Sequence, residues 1–389
     1  MTACVTDERS ARCDVLIASW GGGGNLPPLL AAGRLLAARD LRVCVLASSA
    51  THKAAVDAGF DVVGYGRARD PDLETAFEDQ AEWAMATAAG LEIALDVRDA
   101  VADLKPELMI VDCMLPAGLA AGEAMGTPTA SLVHFPYGLA RTQMLRGGGA
   151  WTTDRARLND TRPALGLEPA ADALAAWESP DLLLVTVPKW FDLPTDYPEN
   201  VVHAGPLGVR TEPQRSGSGQ QPLVLLSFST TVMHGQPRLI QRVCDAISSE
   251  GVHGILTLGP AVSAEAIRIP GNVELVPYAD HDHLLPRCAA VVTHGGLGTT
   301  LRALAHGKPL LLLPLGRDQE FNAGRVAELG AGIHLGVEAS PNEIASALGE
   351  LLAQPSYAEA TGRTAAAIAA DRPDQTATEA LLDLPRDQG

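Results

Sequence analysis

Short apolar runs, each followed by a polar or glycine-rich loop, recur along the chain. The clearest runs are residues 14–19, 43–47, 108–112, 182–187, 223–228, 288–292 and 310–314. Runs of this length between loops are typical of strands buried in a parallel sheet. Several stretches between them carry apolar residues at helical spacing, such as Leu301, Leu304 and Ala305. The alternation predicts an α/β fold with parallel sheets.

One polar stretch divides this pattern into two halves. Residues 210–222 are rich in Gly, Ser and Pro and show no hydrophobic periodicity, which is typical of a linker. We therefore expect a first domain over residues 1–209 and a second over 223–372. The segment 373–389 contains a helical pattern, and we expect this helix to pack back toward the first domain.

Composition limits the classes of protein. The 389 residues are 47% hydrophobic and 20% charged, and the net charge is −18, which argues against nucleic acid as a partner. We find no run of about 18 apolar residues that would predict a membrane span. The first residues lack the apolar core of a signal peptide. The six cysteines have no paired spacing, so we expect reduced thiols and a cytoplasmic protein.

The richest motif follows the apolar run 288–292. It contains His294, the glycines Gly295, Gly296 and Gly298, and the hydroxyl pair Thr299 and Thr300. A glycine turn that opens a helix presents backbone N–H groups to an anion. The next strand releases Asp318 and Gln319 at the same sheet edge, where a carboxylate and an amide suit a polyhydroxylated ligand. An ordinary strand–turn–helix unit is the alternative.

The glycines near Trp20 invite a different interpretation, a dinucleotide site. That interpretation fails because Leu26 and Pro27 stand where the third glycine of the fingerprint is required. The second strand also ends in Ser48 and Ser49, without the acid that would bind a ribose.

Two side chains at strand ends are candidates for acid–base chemistry. Asp112 ends the run 108–112, and His134 ends another apolar run. The alternatives are that Asp112 caps the following loop and that His134 makes a structural hydrogen bond. Residues 280–283 alternate Asp and His, but a third cluster at ligand spacing is missing, so we do not predict a metal site there.

Long segments between the strands of the first half carry large apolar side chains. We expect an apolar ligand pocket from these residues, although apolar stripes at helical spacing are usually core. The candidates are Trp83, Met85, Tyr137, Met144 and Trp151.

The arrangement H-G-G-x-G-T followed by P-x-x-x-D-Q-x-x-N-A resembles the donor-site signature of family 1 glycosyltransferases. That resemblance implies the GT-B fold, in which two Rossmann-like domains face each other across a cleft. It also implies roles for individual residues. His294 and Thr299 would contact the diphosphate of a nucleotide sugar, together with Gly296, Gly298 and Thr300. Asp318 and Gln319 would hold the sugar, and Ser229 and Thr230 would reach the β-phosphate. Tyr278 would stack on the base, and the backbone of Ala279 would form hydrogen bonds with it.

Two positions depart from the pattern of that family. Asn25 stands where the family usually has its catalytic His, and an amide cannot act as a general base. We therefore expect an acceptor that ionises easily, or catalysis through Asp112, with His134 as a second candidate and Asn25 orienting the acceptor. Burial near an apolar acceptor would raise the pKa of Asp112 toward that use. Arg302 replaces the usual Glu near the ribose, which favours a dTDP-sugar over a UDP-sugar as the donor.

The resemblance implies an inverting glycosyltransferase, similar to bacterial natural-product enzymes, that moves a hexosyl or deoxysugar group. The acceptor would be a small apolar or aromatic natural product. We expect no metal and no cofactor beyond the nucleotide-sugar co-substrate, and the sequence leaves a homodimer open. The alternative is an inactive glycosyltransferase-like auxiliary or binding protein, which the missing His favours. An epimerase of the same fold would require internal carboxylates that we do not find.

Overall fold

The computed structural model describes residues 13–21, 23–69, 86–146, 157–211, 221–229, 236–248, 251–259, 262–276 and 279–384. The chain divides into two compact units. Unit 1 comprises Met1–Leu207 together with Asp374–Gly389, and unit 2 comprises Gly208–Pro373. Residues 212–220 of the predicted linker lie outside the described residues.

Unit 1 is built on a sheet of seven parallel strands. They are β1 (Val15–Ala18), β2 (Val43–Ala47), β3 (Asp61–Gly64), β4 (Leu108–Asp112), β5 (Thr129–Val133), β6 (Leu182–Val185) and β7 (Val201–His203). Their order is β3-β2-β1-β4-β5-β6-β7. Val15 of β1 pairs with Val43 of β2 on one side and Leu108 of β4 on the other. The strand order reverses between β1 and β4, and sheets of this kind bind ligands beyond the strand ends at that point.

Unit 2 has a second parallel sheet with the same reversal. Its strands are β8 (Leu223–Ser227), β9 (His253–Thr257), β10 (Val273–Val276), β11 (Ala290–Thr293), β12 (Leu310–Leu312) and β13 (Gly332–His334). The order is β10-β9-β8-β11-β12-β13, so the reversal lies between β8 and β11. The predicted fold class, α/β with parallel sheets in two halves, is confirmed.

Helices connect the strands in both units. Those of unit 1 are α1 (Leu26–Ala37), α2 (Ser49–Asp57), α3 (Leu91–Leu104), α4 (Pro116–Met125), α5 (Tyr137–Leu145) and α6 (Ala173–Trp177). Those of unit 2 are α7 (Gln236–Ser248), α8 (His281–Leu284), α9 (Leu297–Ala305), α10 (Gln319–Glu328), α11 (Pro341–Ala353) and α12 (Pro355–Asp371). Three short 3-10 turns are Arg162–Leu165, Ala264–Ala266 and Leu285–Arg287. The last helix, α13 (Pro373–Leu382), follows unit 2 along the chain.

The two faces of the first sheet have separate cores. Val15 and Ile17 contribute to the face that is covered by α1. Leu16 and Ala18 contribute to the opposite face, covered by α3 and α4. Both sets are buried because successive strand residues point to opposite sides, and this is why the run reads as continuously apolar. The core on the α1 face also includes Ala377 and Leu381 of α13, so this helix packs on unit 1.

Because Leu381 is completely buried in this core, we expect Leu381→Ala to lower the free energy of unfolding of unit 1 by about 2–4 kcal/mol. Urea unfolding followed by circular dichroism measures the change. Glu379→Ala on the exposed face of the same helix is the control and should change stability by less than about 0.5 kcal/mol. Equal stability of the two variants would contradict the packing of α13 on this core.

Candidate active site

The glycine turn after β11 has the geometry of an anion site. Gly295 has φ of +85°, and a Cβ there would lie 3.1 Å from the carbonyl oxygen of Gln319, so both backbone and space favour glycine. Helix α9 begins at Leu297, and Gly296 at its N-cap provides no side-chain capping hydrogen bond. The first N–H groups of α9 therefore lack a side-chain cap and carry the positive end of the helix dipole.

His294 lies beside this helix start and is almost fully buried, at 6% exposure. Burial lowers the pKa of His294 to about 4. A hydrogen bond to the Ser227 backbone acts to raise this pKa, and the positive charge of Arg317 acts to lower it. The imidazole is therefore neutral at neutral pH, and its single N–H is directed to the Ser227 backbone. A Cβ at Gly296 would come within 2.7 Å of His294 Nε2, so glycine is required to leave room for the ring.

The two threonines of the motif occupy different positions. Thr300 is buried, and its Oγ1 donates to the carbonyl oxygen of Gly296 over 3.0 Å, so its hydroxyl stabilises the first turn of α9. Thr299 is half-buried and Gly298 is exposed, and both lie in the first turn. Of the two hydroxyls, that of Thr299 is placed to contact a ligand.

The predicted acid–amide pair forms the turn that precedes α10. Asp318 Oδ2 accepts a hydrogen bond from Asn322 Nδ2 over 2.9 Å, and the same Nδ2 donates to the carbonyl oxygen of Gly295 over 2.9 Å. Gln319 Oε1 accepts from the backbone N–H groups of Leu315 and Gly316. The side-chain carbonyl of Gln319 therefore stabilises the turn, and the side-chain NH2 group remains available to a ligand. Asn322, whose role the motif did not reveal, ties this turn to the glycine turn.

Arg317 stands in the same turn. It is exposed, has φ of +59°, and has no ion-pair partner among the described residues. A non-glycine residue in this left-handed region costs roughly 1–2 kcal/mol. Its guanidinium is close enough to His294 to lower the pKa of that ring.

The remaining predicted donor contacts are only partly described. Ser229 is buried just after β8, and its carbonyl oxygen accepts from Gln236 Nε2 over 2.9 Å. Ala279 is half-buried, directly before α8. Thr230 and Tyr278 lie outside the described residues.

Arg302 is held by an internal ion pair. Its Nη1 donates to Asp282 Oδ2 over 2.6 Å, and the backbone N–H of Arg210 donates to the same oxygen over 3.0 Å. His306 Nε2 lies 3.1 Å from the other oxygen of Asp282, whose side chain is 3% exposed. Burial would raise the pKa of Asp282, but hydrogen bonds from His306, Arg302 and the Arg210 backbone outweigh burial and lower it. The guanidinium is thus committed to a carboxylate within unit 2.

In unit 1, three predicted residues meet beyond the ends of β1, β4 and β5. Asn25 Nδ2 donates to Asp112 Oδ2 and also to the carbonyl oxygen of Trp20, over 3.0 Å in the second case. His134 Nε2 lies 3.2 Å from Asp112 Oδ1, which also accepts from the backbone N–H of Met114 over 2.9 Å. The point where the strand order reverses therefore holds a carboxylate, an amide and an imidazole together.

The charges of this cluster differ from the sequence expectation. Burial alone would raise the pKa of Asp112, but the charge and hydrogen bond of His134 and the donors Asn25 and Met114 lower it. The expectation of a raised pKa for Asp112 is therefore wrong, because these donors outweigh burial. Burial alone would lower the pKa of His134, but Cys113 and Asp112 outweigh burial and raise it well above its ordinary value. Asp112 has no exposed surface, whereas the His134 side chain is 17% exposed.

The predicted acceptor residues are divided between core and undescribed segments. Tyr137 is fully buried, its hydroxyl donates to Glu178, and its ring stacks on Trp177 at 5.1 Å. Met144 is also buried. These two side chains support packing in unit 1 instead of presenting an open surface, because their faces are already covered. Trp83, Met85 and Trp151 lie outside the described residues.

Comparison with solved structures defines the class of fold. The structure of CalG4, the calicheamicin glycosyltransferase, matches with a TM-score of 0.76 over 95% of this chain and 97% of CalG4, at 22% identity. The structure of the glycosyltransferase VinC in complex with dTDP matches with a TM-score of 0.73 over 95% and 98% of the two chains, at 21% identity. The fold is that of GT-B glycosyltransferases.

Sequence comparison gives a more specific match for the second unit than for the first. Residues 242–384 match the family described as Erythromycin biosynthesis protein CIII-like, C-terminal domain. TDP-daunosamine transferase DnrS of Streptomyces peucetius is 43% identical over 98 residues, which are 24% of this chain and 23% of DnrS. Elloramycin glycosyltransferase ElmGT of Streptomyces olivaceus is 33% identical over 150 residues, 38% of either protein. The aligned part of this chain thus spans well under two thirds of these relatives, and the resemblance to bacterial natural-product glycosyltransferases is confirmed.

One negative finding concerns membranes. Within the described residues, no helix combines the length and the apolar character needed to cross a bilayer.

The ion pair of Arg302 yields a prediction about stability. Because the folded pKa of Asp282 is lowered, its contribution is present above the unfolded value of about 3.9 and is lost as pH falls through the folded pKa. We expect Asp282→Asn to lower the free energy of unfolding by about 2–4 kcal/mol at pH 7 and by less below pH 4. Urea titrations at several pH values measure the difference.

Asp280→Asn is the matched control, since Asp280 is more exposed and pairs with the exposed Arg210 side chain. We expect it to change stability by less than about 1 kcal/mol. A loss in Asp282→Asn that does not depend on pH would contradict the assignment to its charge.

Proposed function

We propose that this protein is an inverting glycosyltransferase that moves a hexosyl or deoxysugar group from a nucleoside diphosphate to a small apolar natural product. The observation that carries the proposal is the start of α9, where uncapped N–H groups and the neutral His294 converge. A site of this kind stabilises the negative charge that develops on a departing diphosphate. The relatives named above, which include glycosyltransferases of antibiotics, support this proposal.

The donor half acts on the leaving group. The N–H groups of the first turn of α9 bind the diphosphate, Thr299 adds a hydroxyl donor, and the neutral His294 ring packs beside this helix start. Arg317 adds a positive charge from the neighbouring turn, and it is available because no described residue pairs with it. Asp318 and the NH2 group of Gln319 hold sugar hydroxyls. No metal ion enters this mechanism.

The acceptor half supplies the base. Asp112 is buried and already accepts three hydrogen-bond donors, so it holds charge but cannot reach an acceptor. His134 is partly exposed and lies against that carboxylate. The acceptor hydroxyl transfers its proton to the imidazole as its oxygen attacks the anomeric carbon, and the bond from that carbon to the diphosphate breaks. One displacement of this kind inverts the anomeric configuration. An acceptor that ionises easily reduces the demand on this base.

For the donor we propose dTDP over UDP. Arg302 stands near the expected ribose position and is paired with Asp282, so this position offers no carboxylate to a 2′-hydroxyl. A deoxyribose needs no such partner. Two similar proteins are consistent with this choice, since DnrS is a TDP-daunosamine transferase and the structure of VinC is a complex with dTDP.

Calorimetric titration with dTDP and UDP tests the donor site. We expect dTDP to bind roughly tenfold more tightly, a difference of about 1.4 kcal/mol. Gly296→Ala should weaken binding of both nucleotides by at least about tenfold, because the added methyl group displaces His294. Gly324→Ala on α10, where an added Cβ meets nothing within 4 Å, is the control. A preference for UDP would overturn the nucleotide assignment, and normal binding by Gly296→Ala would overturn the site.

Kinetics test the base. We expect His134→Gln to lower kcat by about 10²–10⁴-fold. In the wild type, kcat/KM should rise with pH around a midpoint above the ordinary His value of 6.5, because the base must lose its proton and its pKa is raised. Asp112→Asn should lower both the rate and this midpoint. His203→Gln is a matched control, since His203 lies 3.2 Å from Asp192 in a similar pair within unit 1.

If Asp112 were the base, activity would survive in His134→Gln and the rising limb would lie near or below pH 4. An auxiliary protein without turnover is favoured only by Asn25 at the usual base position. Such a protein would bind nucleotide yet neither transfer nor hydrolyse the sugar in any of these variants.

A further inference from the structure

Cys113 completes a group of potential metal ligands at the end of β4. Asp112, Cys113 and His134 each offer one ligand atom, and these atoms all lie within 4.8 Å of one another. No other group of three His, Cys, Asp or Glu side chains in the described part of the chain meets this condition. We propose that these three residues bind a zinc ion, and that the ion inhibits transfer by occupying the imidazole.

The ligand types fit zinc. A thiolate, an imidazole and a carboxylate are its three usual protein ligands, and a site with three of them keeps a fourth position open. Tetrahedral bonds of ordinary length place such ligand atoms roughly 3.3–3.7 Å apart, so the three atoms, which lie within 4.8 Å of one another, must move together by up to about 1.5 Å to close around the ion. Softer ligands such as the thiolate select zinc over magnesium or calcium. The negative charges of Asp112 and of a Cys113 thiolate balance the two positive charges of the ion.

Asn25 provides an independent observation in the same cluster. Its Oδ1 is buried and has no hydrogen-bond partner among the described residues, while its Nδ2 faces Asp112. The whole residue is only 5% exposed. The amide presents its NH2 group to Asp112 and to the carbonyl oxygen of Trp20, so Asn25 orients the carboxylate and is not itself one of the three ligands.

The ion can reach the three ligands from solvent, and its binding releases protons from them. Asp112 and Cys113 are fully buried, but the partly exposed His134 gives access from solvent. On binding, the thiol of Cys113 loses its proton to solvent, and so does His134 if it is protonated. The imidazole must then share a nitrogen lone pair with the metal. Whichever ring nitrogen binds, the other carries the remaining proton, so the ring can no longer accept one from an acceptor.

Metal binding does not rest on the proposed function, whereas inhibition does. Binding is measured on the full-length protein with Co²⁺ as the probe, because a thiolate bound to cobalt gives a charge-transfer absorption. We expect one equivalent to produce this band, and Zn²⁺ to displace the cobalt. Cys113→Ser and His134→Gln should lose the band and bind Zn²⁺ at least tenfold more weakly. Cys244→Ser, which removes a buried thiol of unit 2, is the matched control and should bind like the wild type.

Thermal unfolding shows whether each variant is folded. Zn²⁺ should raise the Tm of the wild type and of Cys244→Ser but not that of Cys113→Ser, because only a ligand of the native state stabilises it. A wild type without the cobalt band, or a folded Cys113→Ser that retains it, would overturn the site.

Turnover then tests inhibition. We expect Zn²⁺ at concentrations that saturate the site to reduce wild-type transfer at least tenfold, and a chelator to restore it. The remaining fraction of activity in Cys113→Ser should be much larger at the same Zn²⁺ concentration. Bound zinc with unchanged transfer would refute the inhibitory role alone. Bound zinc in a protein that transfers no sugar under any condition would refute the proposed function and the inhibition, while leaving the binding site intact.

Discussion

A carboxylate with no exposed surface cannot remain charged unless hydrogen-bond donors surround it. This constraint determines which groups lie around the candidate site of unit 1. Asp112 satisfies it with Asn25, His134 and the backbone of Met114. These donors come from loops after three adjacent strands, so the parallel sheet sets their positions. The replacement of an imidazole by Asn25 does not leave this carboxylate unsatisfied, because the amide still donates to it. An imidazole, that of His134, contacts the carboxylate from the other side, after β5.

Unit 2 solves a related problem with backbone groups. Its glycine turn has few charged side chains, and its positive character comes from the start of α9 together with Arg317. Gln319 closes the adjoining turn through the backbone N–H groups of Leu315 and Gly316, and Asn322 ties it to the carbonyl oxygen of Gly295. Farther along α9, Arg302 is balanced by Asp282. The charge of Arg302 is thus paired within the unit, and the donors on offer to a ligand are mainly backbone N–H groups. This arrangement suits a protein with net charge −18.

The sequence predicted the strands at the centres of the sheets well. Residues 43–47 and 108–112 coincide with β2 and β4 because central strands are apolar throughout. The edge strands β3, β7, β10 and β13 were not predicted, since they are short and carry polar residues such as Asp61 and His203. The inner strand β9 was missed as well. The GT-B resemblance came from one specific motif, which composition alone could not supply.

The candidate site was predictable in its members but not in its contacts. Asn25, Asp112 and His134 were all identified, yet their meeting depends on the order of the strands, which periodicity does not specify. The direction of the Asp112 pKa shift also depends on that meeting, because burial and hydrogen bonding oppose each other there. The burial of Tyr137 was missed for a similar reason, since its partners Glu178 and Trp177 are distant in sequence. Thr300 faces inward because of helical phase, which the motif does not reveal.

The place of α13 has a consequence for biosynthesis. Unit 1 is built from residues that precede and follow unit 2 in the sequence. Helix α13 is therefore missing from its core until the ribosome has translated all of unit 2. Unit 2 is continuous and can fold as soon as it leaves the exit tunnel. During that interval the α1 face of the nascent first sheet exposes apolar side chains that α13 later covers. Docking of α13 is therefore the step that covers this face and ends its exposure to chaperones and aggregation.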